Sequence, residues 1–482
     1  MSKETTWKSQ AGFVWSLIGS AVGFANILSF SAKAYKNGGG AYLIPYALAV
    51  LLVGIPFLIL EGKIGNWFQA PLVRAYGLVW GRLGKTLGWL SVLACMTIGA
   101  FYIVLTGYSV AYTFFAAGNL IPDDTKTFFL KDFLHISPSL KNAGIFSWPI
   151  FAATLGVAAV SWYVLRKTVR EGIEKVCSFF MPLMVVLISL FAIVVTFLPG
   201  GMQGWVYYLK PNFEKLLSIN LWCDVFGQLF FSLSLGLGII VGYSRHSKEN
   251  TNILKAMSLV ALGDFCVSFI AGAAIFGVLA HISHTQHIPF DQILTSDSTF
   301  EIGFILFPKI LKAFGPVLAQ WIGTLFFFCV FIAGITGVFS IIESIAGNLE
   351  VELKTTRKKA VSATLLVTLF LSLFFCMGNA SHLIDSLAPM VLGTNMLIGG
   401  LALSLAFGMN PKSLFITHKF PKFCLKVIAP FILTVILAGS LWQEYSHFDL
   451  ASGVRWSWFV VAIAASLLLT FAEKKKEAMI TG

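Results

Sequence analysis

Charge is what this chain has least of. Only 12% of its 482 residues are charged, and acids are the scarcer half, 22 against 34 bases. A soluble surface needs far more charge than that, so a water-soluble globular protein of this length is excluded. Cysteine is sparse as well: seven residues, mostly inside apolar runs, with no CxxC pair. They point to neither a disulfide framework nor a thiolate metal site, and behave as small hydrophobes. No HExxH, no Walker loop and no strand-linked GxSxG occurs, so nothing argues for an enzyme. His281, His284 and His287 stand near helical spacing. With no carboxylate or cysteine set around them, they read as an interfacial polar turn rather than a metal site. The polar first ten residues lead into an apolar run without an evident cleavage site, so no removable signal peptide is expected.

What is present is apolar. Hydrophobic residues make up 57% of the chain, and mean hydropathy is +0.82. This is the composition of an all-α polytopic membrane protein. Twelve apolar spans are readable at approximately 10–34, 40–68, 86–118, 148–166, 172–198, 219–244, 254–281, 315–349, 358–377, 382–408, 423–443 and 455–473. The net charge of +12 first suggests a nucleic-acid partner, but its distribution follows the loops. Arg74, Arg82 and Lys85 follow span 2. Arg166, Lys167, Arg170 and Lys175 surround the loop after span 4. Arg245, Lys248 and Lys255 follow span 6, Lys354 to Lys359 follow span 8, and Lys412 to Lys426 follow span 10. Lys474, Lys475 and Lys476 end the chain, and the intervening loops are less basic. The positive-inside rule then puts both termini in the cytoplasm and the chain in the cell (inner) membrane.

Two spans are interrupted at mid-depth. Span 1 carries Gly19-Ser20-Ala21-Val22-Gly23-Phe24-Ala25-Asn26, and span 6 carries the run from Gln228 through Ser232, Ser234 and Gly236 to Gly238. Alone, Gly19 and Gly23 would read first as a close helix contact, ahead of a broken helix. Two such interruptions five spans apart are different. Five is odd, so a second five-span unit runs inverted relative to the first, and paired broken helices in inverted repeats point to a secondary transporter with its site at the midplane. The expected organisation is a cytoplasmic segment 1–9, a first repeat 10–198, a second repeat 199–408 with an outer loop 282–314, helices 11 and 12 within 409–473, and a cytoplasmic tail 474–482.

The residues also resemble a family. Ala21-Val22-Gly23, Asn26, Asn37-Gly38-Gly39-Gly40, Pro45-Tyr46 and Gly54-Ile55-Pro56 look like the neurotransmitter:sodium symporters, in the style of their bacterial amino-acid transporters. Gly227 to Ser234 is similar to that family's span 6, Asp264 to Gly272 to its span 7, and Ala333 to Thr336 to its span 8. The resemblance implies a LeuT-type fold with broken helices 1 and 6, and a sodium-coupled importer working by alternating access. It implies a first sodium site from Ala21, Asn26, Ser232 and Asp264, and a second from Gly19, Val22, Ala333 and Thr336. One or two sodium ions are expected, with no organic cofactor. The implied substrate pocket takes in Ala21, Gly23, Ala25, Ile98, Tyr102, Phe231, Ser232, Ser234, Leu237, Gly337 and Ile341. It is mostly apolar with polar groups at one end, which suits a neutral, hydrophobic or aromatic α-amino acid.

Departures from the family pattern sharpen this. Gly23 stands where monoamine carriers place an aspartate, so an amino acid bringing its own carboxylate is favoured. Tyr46, Gln228, Ser232 and Ser268 match the shell that holds chloride in chloride-dependent members, and Asp264 would put a fixed negative charge there. Transport is therefore expected to be chloride-independent. Gly337 replaces a residue that usually completes the second sodium site, which weakens that site and leaves room in the pocket. Ser29 replaces the outer-gate arginine while its aspartate remains as Asp385, so Lys33, one turn outward, or a water chain is expected to serve Asp385. Ala25 and Ser31 replace a glycine and a proline. Glu61 and Glu343 lie within spans and need partners. Trp7 is expected to pack under span 1, with Lys3 and Glu350 or Glu352 as candidates for an inner ion pair. The rival reading on the same scaffold is a proton-coupled or facilitative amino-acid transporter, with Asp264 or Glu343 carrying the proton. A channel would need a pore ring supplied by subunits, and a pure receptor would bind without accumulating.

Overall fold

The computed structural model describes residues 6–294, 301–312, 315–409, 416, 418–446 and 448–481. Among them, ten helices are long and apolar enough to cross a membrane: Gly40–Phe68, Leu72–Ala117, Trp148–Leu165, Arg170–Thr196, Ile253–Gln286, Pro316–Glu352, Arg357–Cys376, Ala380–Gly408, Lys419–Ser446 and Leu450–Ala472. A bent pair, Gln10–Ala21 and Ala25–Lys36, turns by 61° and makes span 1. Helices Ile219–Ser232 and Ile239–Ser244, joined through Leu233–Gly238, make span 6. Spans 3 and 8 are the best buried, at 83% of their apolar window, whereas span 12 is 17% buried and faces outward. The bundle is thus built round spans 1, 3, 6 and 8, with spans 11 and 12 outside.

Both breaks have local causes. In span 6, Ser234, Gly236 and Gly238 sit at φ +52, +80 and +74, a left-handed run that ends the upper helix and restarts the lower one. In span 1, Val22 turns extended (φ −75, ψ 116) while its N–H still bonds Ile18 O at 2.7 Å. Span 3 differs from the sequence reading. Its helical run starts at Leu72 rather than near 86, and turns at Gly81 (φ 58, ψ −128). The basic residues Arg74, Arg82 and Lys85 therefore lie on helix rather than loop. The polarity that suggested a loop belongs to the outward face of a helix whose Leu72, Val73, Ala75 and Tyr76 are buried in the core. Span 7 likewise runs on to Gln286, so His281 and His284 are helical, and His281 Nδ1 bonds Pro199 O at 2.8 Å.

Candidate functional site

The two breaks face each other. The amide nitrogen of Asn26, one turn past the break in span 1, lies 2.6 Å from Asp264 Oδ1, 2.8 Å from Ser268 Oγ and 2.9 Å from Ser232 Oγ, of which its two hydrogens serve two at a time. Asn26 Oδ1 accepts from Gly23 N at 2.9 Å, which satisfies a donor freed by the break. Ser232 Oγ lies 2.9 Å from both Asp264 oxygens. Asp264, Asn26, Ser232 and Ser268 are all fully buried. Among the described residues no Lys or Arg forms an ion pair with Asp264; only neutral donors reach it. A buried carboxylate held this way lacks a counter-charge. A small cation fits that need, since the cluster offers hard oxygen ligands. It would compete with the Asn26 amide, and half a turn of that amide would present Oδ1 instead.

The chloride-like shell is only partly assembled. Tyr46 stacks on Phe265, with centroids 6.1 Å apart, and its hydroxyl is buried without a hydrogen bond of good geometry. Gln228, expected with it, points elsewhere. Its Nε2 donates to Ala25 O at 2.7 Å, and its Oε1 accepts from Ser29 Oγ at 2.9 Å. Ala25 O already accepts from Phe30 N, and the side-chain amide takes its second lone pair.

Ala21, Gly23, Ala25, Ile98, Tyr102, Phe231, Ser234, Leu237, Gly337 and Ile341 line one cavity of about 30 Å³. Ser232 stands behind it with Asp264. The cavity holds a water but no amino acid, so a substrate must enlarge it. Ser20, Ile239, Ser340, Leu392 and Met396 also line it. Sequence reasoning missed them. Ser340 was open to it as the residue one turn beyond Gly337, but Leu392 and Met396 are apolar residues in an apolar span and carry no signal. The room expected beside Gly337 is taken: a Cβ there would lie 2.7 Å from Tyr102 Oη, and one on Gly23 would overlap the same hydroxyl. Tyr102 is wedged between the two glycines, against Phe24, with ring centroids 5.0 Å apart.

The second sodium set fits a hard cation less well. Thr336 Oγ1 donates to Ile332 O at 2.9 Å and lies 3.9 Å from Met181 Sδ. A Cβ at Gly19 would meet Cys177 Sγ at 3.1 Å and Met181 at 3.3 Å. Sulfur, a poor sodium ligand, thus stands beside Gly19 and Thr336, while Ala333 O lies 3.2 Å from Thr336 Oγ1.

At the outer end, Lys33 Nζ lies 3.5 Å from Asp224 O rather than at Asp385. Asp385 instead lines a cavity of about 330 Å³ with Tyr108, Lys126, Ser381 and His382. Asp224 lies in the outer half of span 6, in the helix Ile219–Ser232, so Lys33 reaches the other broken span. The buried acids in the spans have partners: Glu61 Oε1 accepts from Gly236 N at 2.8 Å, and Glu343 pairs with Arg357 at 2.7 Å. At the inner end Glu352 pairs with Lys85 at 3.2 Å, Glu350 with Arg245 at 3.3 Å, and Lys3 lies outside the described residues. Burial first, and then the Arg245 charge, holds the imidazole of His246, in the loop after span 6, down to about 4.

A helical membrane bundle whose two broken spans meet at a buried polar cluster and a small apolar cavity defines a secondary transporter. The sodium:neurotransmitter symporter profile matches residues 4–124 and 120–472. An uncharacterized sodium-dependent transporter of Methanocaldococcus jannaschii is 33% identical over 80% of this chain and 77% of its own. The sodium- and chloride-dependent creatine transporter 1 of Bos taurus is 27% identical over 70% of this chain and 58% of its own. The crystal structure of MhsT in complex with L-phenylalanine superposes with a TM-score of 0.78 at 23% identity, over 90% of this chain and 99% of that one. The chain belongs to the sodium:neurotransmitter symporter family. It is an integral membrane transporter that uses sodium, not an enzyme, and has the LeuT-type fold.

Proposed function

We propose that this chain is a sodium-coupled importer of a neutral, hydrophobic or aromatic amino acid, independent of chloride. The observation that carries the proposal is Asp264, a buried carboxylate that among the described residues is hydrogen-bonded by Asn26 and Ser232 and paired with no Lys or Arg. A sodium ion at Ala21, Asn26, Ser232 and Asp264 supplies the missing positive charge, and the fixed carboxylate makes a diffusible anion unnecessary. The substrate's own carboxylate would reach the same ion, and that shared contact couples the two gradients. The adjoining cavity is lined chiefly by Ile98, Tyr102, Phe231, Leu237 and Ile341, with no acidic or basic side chain. MhsT, which shares the fold, was crystallised with L-phenylalanine, in keeping with this reading.

We place the chain in the cell (inner) membrane with both termini cytoplasmic, from the basic loops. A second ion at Gly19, Val22, Ala333 and Thr336 is the weaker part of the reading. The test is uptake by the full chain in proteoliposomes under an imposed sodium gradient. Accumulation of a neutral amino acid with sodium alone, in gluconate as in chloride, is the expected result. Accumulation driven by a proton gradient in the absence of sodium would establish the proton-coupled alternative instead.

A further inference from the structure

An ion network at the inner end of span 6 takes no part in the site above. Arg245 follows the short helix Ile239–Ser244 and is only 4% exposed. A guanidinium stays charged, so burying it requires partners. Arg245 finds them on span 8: Nη2 is 3.3 Å from Glu350 Oε2 and 3.5 Å from Glu343 Oε1, and Nη1 donates to Gly347 O at 3.2 Å. Gly347 is what admits it, since a Cβ there would lie 2.8 Å from Nη2. Glu343 already has Arg357, through bonds of 2.7 and 3.1 Å. By charge, Arg245 therefore belongs to Glu350. Glu343 is 1% exposed and Glu350 is 32% exposed, so water reaches the carboxylate of the second pair and not that of the first, although Arg357 is itself 18% exposed. The network divides into a sealed pair, Glu343 with Arg357, and a breakable one, Glu350 with Arg245.

The breakable pair is joined to the site by a short lever. The helix above Arg245 has six residues, and its upper end continues into Leu237 and Ile239, which line the central cavity. Above them the left-handed residues Ser234, Gly236 and Gly238 form a ready hinge. The N-terminal segment holds the same lever from below: Trp7 Nε1 donates to Tyr243 O at 3.0 Å, and Trp7 N to His246 O at 3.2 Å. That segment is itself tied to span 5 through backbone donors, Lys8 N and Ser9 N on Glu174 at 2.6 and 3.1 Å. Among the described residues, the cation on Glu350 thus comes from span 6 and not from the N-terminal segment.

We propose that Arg245 is the cytoplasmic latch of the transport cycle: a positioning residue whose pair with Glu350 holds the lower half of span 6 against span 8 and keeps the inner path shut. Its release lets the short helix swing and opens the cavity to the cytoplasm. The inference rests on the alternating-access reading above.

Cys177 is a native reporter. It is buried in span 5 beside Gly19, on the inner side of the site. The test uses the full chain in nanodiscs with the other cysteines replaced, and measures the rate at which a membrane-impermeant thiosulfonate modifies Cys177 in sodium. Arg245→Ala and Glu350→Gln are each expected to speed modification about tenfold by shifting the population toward the open state. Both should lower gradient-driven accumulation while leaving substrate exchange. The swap Arg245→Glu with Glu350→Arg is expected to restore slow modification. If Arg245→Ala does not fold, Glu350→Gln carries the test, because Glu343 keeps Arg357 in that variant. Wild-type modification rates in folded Arg245→Ala, or in Glu350→Gln, overturn the latch. Failure of the transport reading looks different: no neutral amino acid accumulates in the wild type, whatever the Cys177 rates of the variants.

Discussion

Asn26 and Asp264 are 238 positions apart in the chain and meet at 2.6 Å in the middle of the bundle. The bond joins a broken span to an unbroken one and buries a carboxylate among neutral donors. If that fixed charge stands in for chloride, Asp264→Asn removes it at nearly constant shape. Wild-type uptake is expected to be the same in chloride and gluconate. Uptake by Asp264→Asn should fall about tenfold in gluconate, the equivalent of ~1.4 kcal/mol of lost charge compensation, and recover in chloride. Paired uptake assays in proteoliposomes decide it. A variant equally active in both anions would show that the charge has another task.

The Tyr102 hydroxyl occupies the space that side chains at Gly23 and Gly337 would need. Gly23→Ala and Gly337→Ala are each expected to destabilise the protein by about 1–3 kcal/mol through overpacking. Adding Tyr102→Phe to Gly23→Ala should return most of that stability, because the hydroxyl is the clashing atom there; beside Gly337 the ring carbons Cε1 and Cζ stand nearly as close, at 2.9 and 3.0 Å, so the same change should help Gly337→Ala much less. It should not restore the thermal shift produced by amino acids if the hydroxyl also meets their carboxylate. Melting curves with and without a panel of neutral amino acids separate the two effects.

The spans were legible because each is a long apolar run, and the break in span 6 because glycine and serine cluster where a helix should be continuous. The meeting of Asn26 with Ser232, Asp264 and Ser268 was legible in composition through the family resemblance, though not in orientation: Gln228 turns to Ser29 and to the second lone pair of Ala25 O, contacts set by how span 6 packs on span 1. Leu392 and Met396 stayed hidden because an apolar side chain in an apolar span looks the same whether it faces lipid or a cavity. The crowding of Gly19 by Cys177 and Met181 was hidden for a related reason, since it is set by how span 5 packs on span 1. The expectation that Lys33 or a water chain serves Asp385 rests on the resemblance, with Ser29 in place of the gate arginine and Lys33 one turn outward, and neither the resemblance nor the spacing shows that Lys33 reaches Asp224 O instead.

Glu61 stitches the broken span 6 to span 2. Its Oε1 takes the Gly236 N–H at 2.8 Å, while Oε2 is buried without a partner. Glu61→Gln keeps an acceptor for Gly236 and is expected to fold. Glu61→Ala leaves that N–H bare and should cost about 1–3 kcal/mol. A larger loss of thermal stability in the alanine variant than in the glutamine variant, measured side by side, is the expected outcome. Equal losses would mean that the carboxylate's charge, rather than its hydrogen bond, holds the break.

His246 makes a prediction whose sign follows from its surroundings. Its Nε2 accepts from Arg245 Nε at 3.0 Å, so the neutral ring with its proton on Nδ1 is the form the fold holds. Burial first and Arg245 second keep its pKa at about 4, below the ordinary value of 6.5. Between those two values the unfolded chain binds a proton that the folded chain does not, so stability falls as pH drops from 6.5 toward 4 and levels off below. The full loss is at most about 3 kcal/mol. His246→Gln keeps an acceptor for Arg245 and cannot titrate. The difference in melting temperature between wild type and His246→Gln is therefore expected to be constant above pH 7 and to shift against the wild type as the pH is lowered. A difference that does not change with pH would mean that the ring titrates alike in the folded and unfolded chain, and one that shifts toward the wild type as the pH is lowered would mean that the ring is protonated in the fold and pairs with Glu343, which lies 3.4 Å away.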